Sequence, residues 1–470
     1  MTDVLRIPLL SDDENDVLNK LLARLARTNV RNVLRSSFYD GRRAVAQLGS
    51  VIPPQYQNIA LALGWTAKGV DGLARRVNID RFVWTDGDIN DLGIRELTDA
   101  NFLLSELAQA RTDSLIHGVS YLVTTQGGSG EPKGLVHVRD ALTAVGDWNP
   151  RKRRLDSFLS LTDRDESGIS AFNLYLDGLT ITATRKGSMW TVERQVHPWG
   201  IPAEPLVYRP RTSRPMGRSR ITRPAMAIQE AALRALIRLE AHMDIYAIPK
   251  LMLLGADESI FKNPDGSLKA SWQIAMGRAF GIPDDEDATT PRADVQQFSA
   301  ESPEPHLAQL NALAKLMARE TDLPDSDFAL TDMANPTSAD AYNASRENLI
   351  AEAEGAQLDW SVPIRRTITR ALAIQNGLSK VPESWSSLDA KWRSPVFLSR
   401  AAEADAGAKQ LAVVPWLAET QVGLELLGLD DQQIERALAE KRKANGLRIA
   451  EAAVTRQVEA VPQVADGNGA

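Results

Sequence analysis

An α+β fold, mainly α, is predicted by three observations. Short strand-forming runs alternate with turn residues from Val119 to Arg194, apolar residues at helical spacing dominate from Ile221 onward, and the stretch Pro205 to Pro249 divides the two regimes. In Ile221 to Ile248, Met226, Ile228, Leu233, Leu236, Ile237, Met243, Ile245 and Ile248 keep the 3.6-residue period, so this is one long helix. Pro224 is tolerated in its first turn, whereas Pro249 ends or kinks it. Glu230, Arg234 and Arg238 step four apart along one polar stripe, with the acid N-terminal to the bases. That stripe is either a solvated face or one turned to a lumen or a neighbouring subunit.

Composition sets the outer limits. The 470 residues allow one large or several small domains with a sizeable core. Cysteine is absent, which excludes disulfides, thiolate nucleophiles and cysteine zinc sites and is compatible with a reducing compartment. The N-terminus lacks the basic and apolar regions of a signal peptide, and no apolar run reaches spanning length, so a soluble intracellular product with no membrane role is expected. A net charge of −7 opposes tight generic nucleic-acid binding, which is driven by counterion release at many Lys/Arg contacts.

From the N-terminus, Ser11-Asp12-Asp13-Glu14 is a capping box that starts a helix with Val17, Leu18, Leu21, Leu22 and Leu25 on one face. Phe38-Tyr39-Asp40-Gly41 closes it. Trp65 to Val77 and Asn101 to Ile116 are further helices, and Gly118 stops the second before the strand formers Val119 to Thr124. Gln126 to Gly130 is a hairpin turn to a returning strand, Gly134 to Val138, since no Gly-Lys-Ser/Thr follows that would make it a phosphate loop. Asp86 to Asp91 opens like a calcium loop but places Asp91 where glycine is needed and Leu97 at the closing position. Trp148 to Arg194 then makes a small antiparallel sheet with turns at Asp177-Gly178 and Lys186-Gly187.

Beyond the long helix comes a short apolar run, Lys250 to Gly255, and a turn, Asn263-Pro264-Asp265-Gly266. A polar excursion reaches Pro303, carrying the acidic patch Asp284 to Asp287. Glu304 to Glu320 returns to helix until Leu323-Pro324, and Asp325 to Pro336 is a loop. Thr337 with Asp340 starts a helix from Ser338, which Pro363 kinks or divides on the way to Asn376. Ser399 to Glu451 is helical with breaks near Gly423, Gly428 and Gly446, and residues from Val461 fray.

Catalytic patterns are missing. His117, His137, His197, His242 and His306 are dispersed, no nucleophile elbow, Walker loop or dinucleotide fingerprint occurs, and neither a metal nor a cofactor is expected. His242 has no convergent partners and reads as an exposed or hydrogen-bonded residue, not a base. A structural or mechanical task follows.

The order of certain segments resembles the portal, or head-to-tail connector, proteins of tailed bacteriophages, particularly siphophages of actinobacteria. The resemblance rests on Phe38-Tyr39-Asp40-Gly41, on Val70-Asp71-Gly72-Leu73-Ala74-Arg75-Arg76 and on Asp113-Ser114-Leu115-Ile116-His117-Gly118-Val119-Ser120-Tyr121. It continues in Gly217-Arg218-Ser219-Arg220-Ile221 and Asn335-Pro336-Thr337-Ser338-Ala339-Asp340-Ala341. It implies a ring of about twelve subunits at one capsid vertex, through which a separate ATPase drives double-stranded DNA. By the same resemblance residues 1–220 are the wing, 221–249 and 304–324 the two stem helices, 250–303 the clip, and 325–337 the tunnel loop. Residues 338–398 are then the spine helix with a wing segment, 399–460 the crown and 461–470 a disordered tail.

The implied partners are the terminase large subunit, the neck or head-tail adaptor, the major capsid protein and the scaffolding protein, in a virion assembled in the host cytoplasm. Expected near DNA are Asp325, Asp327, Phe328, Thr331, Asp332 and Asn335, in a loop free of Lys and Arg that would let phosphates slide. Expected at the lumen or between subunits are Glu230, Arg234 and Arg238. Motor and adaptor would dock on clip residues Lys262, Lys269, Arg278, Asp284 and Asp285. The alternative is a DNA-processing enzyme or another head-tail adaptor ring; the enzyme would need a cluster of acids or histidines, and the acids at Asp284 to Asp287 could be mistaken for a nuclease metal site.

Overall fold

A computed structural model describes residues 5–42, 63–246, 250–254, 262–267, 279–282, 294–298, 302–328, 346–397 and 400–459. It is an α+β chain, mainly helical, and it divides into two compact units, Met1–Pro395 and Val396–Ala470.

The first unit opens with α1, Asp12–Tyr39, whose capping box is formed: the Ser11 hydroxyl accepts from the Glu14 amide while the Glu14 carboxylate accepts from the Ser11 amide. Leu18, Leu21 and Leu25 of α1 are buried on a five-stranded antiparallel sheet. Its strands, in spatial order, are β4 (Ala144–Asn149), β5 (Arg154–Asp165), β6 (Gly168–Leu176), β7 (Leu179–Lys186) and β8 (Met189–Val196). Alternation puts Leu159, Phe172, Leu174 and Ile181 under α1 and Phe158 and Tyr175 on the opposite face. That face meets a second sheet, β3-β2-β9, made of β2 (Val119–Gln126), β3 (Gly134–Arg139) and β9 (Ala203–Val207). Gln126 pairs with Gly134 across the expected hairpin.

A larger core joins the remaining elements. It takes in α2 (Trp65–Ala74), α3 (Ile94–Ala100), α4 (Leu103–His117), α5 (Arg223–Tyr246), α6 (Glu304–Thr321) and α7 (Glu347–Gln375). Strand β1 (Ile79–Trp84) pairs antiparallel with the distant Leu388–Trp392. The sequence reading missed that pair, because each strand is completed only by a partner about three hundred residues away.

Three expectations need correction. The polar excursion holds a three-stranded sheet: β10 (Lys250–Leu254) runs parallel to β11 (Ala279–Ile282) and antiparallel to β12 (Asp294–Phe298), with the expected turn closed by the Gly266 amide on the Asn263 carbonyl. Polar composition masks strands whose pairing satisfies the backbone whatever the side chains are. Helix α7 runs unbroken through Pro363, since one proline removes a single ladder bond while Trp360, Ile364 and Ile368 remain buried on either side. After β13 (Leu388–Trp392), the second unit contains α8 (Arg400–Val413), α9 (Gln421–Leu426) and α10 (Asp431–Glu459). Gly428 ends α9 with a positive φ of 75°, but Gly446 leaves α10 intact, its penalty being only about 1 kcal/mol.

Candidate functional site

Two of the segments singled out in the sequence, Asp113–Tyr121 and Gly217–Ile221, meet at the start of α5, while Asn335–Ala341 lie outside the described residues. Gly118, φ 100°, and Gly217, φ 67°, bring two chain segments into backbone contact. The Tyr208 amide donates to the Gly118 carbonyl and the Arg218 amide to the Tyr208 carbonyl, at 3.0 and 3.1 Å. A side chain on Gly217 would meet the carbonyls of both Tyr208 and Gly118. Ser219 seals the joint by donating to the Ile116 carbonyl, and the Arg220 amide donates to the Leu115 carbonyl at 2.8 Å.

Arg220 is the hub. Its guanidinium donates from Nε to the Gly69 carbonyl at 2.7 Å and from Nη2 to the Thr321 carbonyl at 2.5 Å, while Nη1 contacts Glu352 Oε2. The Arg220 and Glu352 side chains are each 6% exposed. Tyr208 donates its hydroxyl to Glu352, and Arg209 reaches the same carboxylate at 3.3 Å. Burial alone would depress the Arg220 guanidinium, but Tyr208 and Glu352 outweigh it and hold its pKa above the ordinary value. Burial pushes the Tyr208 phenol up to about 12. One ion pair thus ties α2, the entry to α5, the end of α6 and α7 together. Sequence reading did not find Glu352, although its place beside the apolar stripe Leu349, Ala353, Ala356 and Trp360 was a signal.

Helices α5 and α6 form an antiparallel hairpin: Thr222 at the start of α5 bonds Glu320 near the end of α6, and the His242 and His306 rings meet at 5.1 Å at the far end. Burial, then His242 and Arg238, lower the pKa of His306. Leu233 and Ile237 are buried, and Leu236 is half-buried. Of the charged stripe, Glu230 and Arg234 are half-buried and Arg238 is exposed. Arg234 and Arg238 make no ion pair among the described residues. An i,i+4 pair contributes only a few tenths of a kcal/mol, too little to fix either side chain.

At the start of the expected tunnel loop, Asp322 adopts φ 52° and closes α6, and Asp325–Asp327 form a single helical turn. Asp325 is exposed. Asp327 lies 3.8 Å from Lys68 Nζ and 3.8 Å from an Arg346 Nη, bridging α2 and the residue before α7. Phe328 is 5% exposed and packs edge-on against Trp65, with ring centroids 5.9 Å apart. Its side chain anchors the root of the loop and presents no surface to a ligand. Thr331, Asp332 and Asn335 lie outside the described residues, as do Lys269, Arg278, Asp284 and Asp285 and the helix start at Thr337. Lys262 precedes the Asn263 turn. Among the described residues no group of His, Asp or Glu could hold a metal, and no helix is long and apolar enough to cross a membrane.

Comparison with known proteins places this architecture. The family model described as phage portal protein, SPP1 Gp6-like, matches residues 18–447. The portal protein of Mycobacterium phage L5 is 26% identical over 383 residues, covering 80% of this chain and 77% of that protein. That of Mycobacterium phage D29 is 28% identical over 386 residues with the same coverage. Among solved structures, a chain in the neck of a native gene transfer agent particle matches with a TM-score of 0.40 and 14% identity, over 78% of this chain and 91% of that one. A chain from the virion of a native gene transfer agent particle gives 0.39 and 15%, over 78% and 90%. With a family match running from α1 into the last helix, the chain belongs to the phage portal proteins of the SPP1 Gp6-like family.

Proposed function

We propose that about twelve copies of this chain form a ring at one vertex of a capsid, whose lumen is the path for double-stranded DNA during packaging and ejection. The observation that carries this reading is the family match over residues 18–447. The α5–α6 hairpin supports it, because two long antiparallel helices with a sheet-bearing excursion between them suit a stem that ends in a clip. The wing is then residues 1–220, the spine and its wing segment 338–398, and the crown 399–460. The clip receives the terminase large subunit first and the neck adaptor later, and the capsid and scaffolding proteins surround the wing during assembly in the host cell. The protein performs no catalysis of its own, and the work of translocation comes from the motor.

The test is the mass of the purified particle by light scattering or mass photometry, with negative-stain images of the same sample. A ring of about twelve subunits with a central hole is expected. A compact dimer or tetramer without a hole, or metal-dependent nuclease activity abolished by Asp284→Ala with Asp285→Ala, would overturn the reading.

A further inference from the structure

Two exposed helix faces on different parts of the fold carry opposite charge, and each leaves apolar side chains in solvent. On α1, Arg27, Val30 and Arg31 share one face with Val33 at its margin; Val30 is 76% exposed and Val33 57%. Beside them Arg211 and Arg214 are held in a closed turn, each amide donating to the other's carbonyl, at 3.1 and 2.8 Å. Burial, then Arg31 and Arg214, push the guanidinium of the adjacent Arg35 down to about 10, with no acid acting the other way. None of Arg27, Arg31, Arg211 and Arg214 makes an ion pair among the described residues. The cause is legible in the chain: residues 205–229 hold six arginines and no acid, although the whole protein carries a net −7.

The second face lies on α7. Its buried side is Leu349, Ala353, Ala356 and Trp360, in the core shared with α5 and α6, whereas α1 covers the five-stranded sheet. Along its exposed side run Glu347, Glu354 and Asp359, which likewise pair with no cation among the described residues. Leu358, 76% exposed, and Val362, 39% exposed, sit between and beyond them. At 3.6 residues per turn Glu347, Glu354, Leu358 and Val362 share one stripe, with Asp359 at its margin.

We infer that the basic face of α1 and the Arg211–Arg214 turn docks on the acidic face of α7 of the next copy, head to tail. The inference rests on the ring reading and adds to it the two surfaces that close the ring. Like charges gathered without counter-ions weaken the isolated subunit, and each face supplies what the other lacks. Because the faces belong to different elements, the contact is heterologous. Such a contact makes closed rings when its rotation closes. The valines and leucine then lose their solvent contact, giving the seam an apolar centre inside a charged rim.

Charge reversal tests this in the full chain. Arg31→Glu with Arg214→Glu, and separately Glu354→Lys with Asp359→Lys, should each lower the ring fraction by more than about tenfold in mass photometry. All four substitutions are on the surface, and unchanged melting curves establish that the subunits fold. An equimolar mixture of the two variants should form rings again, since each reversed face now fits the other variant. The absence of cysteine supplies a second readout: Val33→Cys combined with Leu358→Cys should give a ladder of covalent multimers with a flexible bismaleimide, and either substitution alone should not.

Rings at wild-type yield in both variants would overturn the seam while leaving the ring reading intact, as would a mixture that stays dissociated. Normal rings that no longer retain a DNA duplex after Arg31→Glu with Arg214→Glu would assign the basic face to DNA instead. A wild-type chain without rings removes the ring reading itself.

Discussion

Glu352 is a single side chain whose loss should be felt across several elements of the unit Met1–Pro395. Its carboxylate neutralises Arg220, which is 8% exposed and already bonded to two carbonyls of other elements. Glu352→Ala would leave that guanidinium buried and unpaired, so it should cost about 3–5 kcal/mol in urea unfolding. A loss below about 1 kcal/mol would mean that water enters and replaces the carboxylate. Two titrating groups act with opposite sign. Burial, then Asp140, pushes Asp113 up to about 7, and burial pushes His137 down to about 4. An aspartate raised in the fold resists ionising where the unfolded chain ionises freely, so its penalty grows from about pH 4 to pH 7 and then stays level. Asp113→Asn should therefore stabilise at pH 8 and lose that advantage toward pH 4. His137 refuses a proton that the unfolded chain takes up, so its penalty appears as pH falls through about 6.5 and grows to about pH 4. His137→Leu should remove that acid-side loss. If each variant tracks the wild type at a constant offset across these ranges, the buried environment is not what shifts the two groups.

At the scale of elements, periodicity revealed helices and hairpins and little else. The capping box at Ser11, the stop at Gly118 and the Asp177-Gly178 and Lys186-Gly187 turns are local devices, written in adjacent residues. Strand β13 and the sheet around β10 depend on partners far along the chain, so no window of sequence contains them. The same reason hid Glu352 and the anchoring role of Phe328. Each becomes meaningful only when α2, α6 and α7 meet, and the Gly217 to Ile221 segment, whose partners Gly118 and Ile116 are also distant in sequence, stood out only through the resemblance. Helix α5 offers a direct check on packing. Leu233 is 6% exposed and Ile237 4%. Ile237→Asp should cost several kcal/mol, on the order of 4, because burying a carboxylate strips it of water. Arg238→Ala, on the exposed side, should stay within about 0.5 kcal/mol. Equal losses in the two variants would mean that the helix is turned differently from the burial described.

For the whole molecule, the proposed ring raises the question of which parts would close it and which would dock its partners. The α5–α6 hairpin is fixed near its root by Arg220 and Glu352, while the sheet β11-β10-β12 comes in the chain between the far ends of the two helices. Stability and assembly should therefore depend on the root, and docking of motor and adaptor on the excursion. Replacing residues 255–301 with a short Gly/Ser linker removes β11 and β12 yet asks the linker only to bridge the end of β10 and the start of α6. Loop-closure entropy changes slowly with length, by about 0.6 kcal/mol per doubling, so the hairpin should survive the replacement. The expected outcome is rings at normal yield, seen by negative stain, in particles that contain no packaged DNA when the variant is supplied in place of the wild type. Monomers after the same replacement would place part of the ring contact in the excursion, and particles filled with DNA would remove it from motor docking.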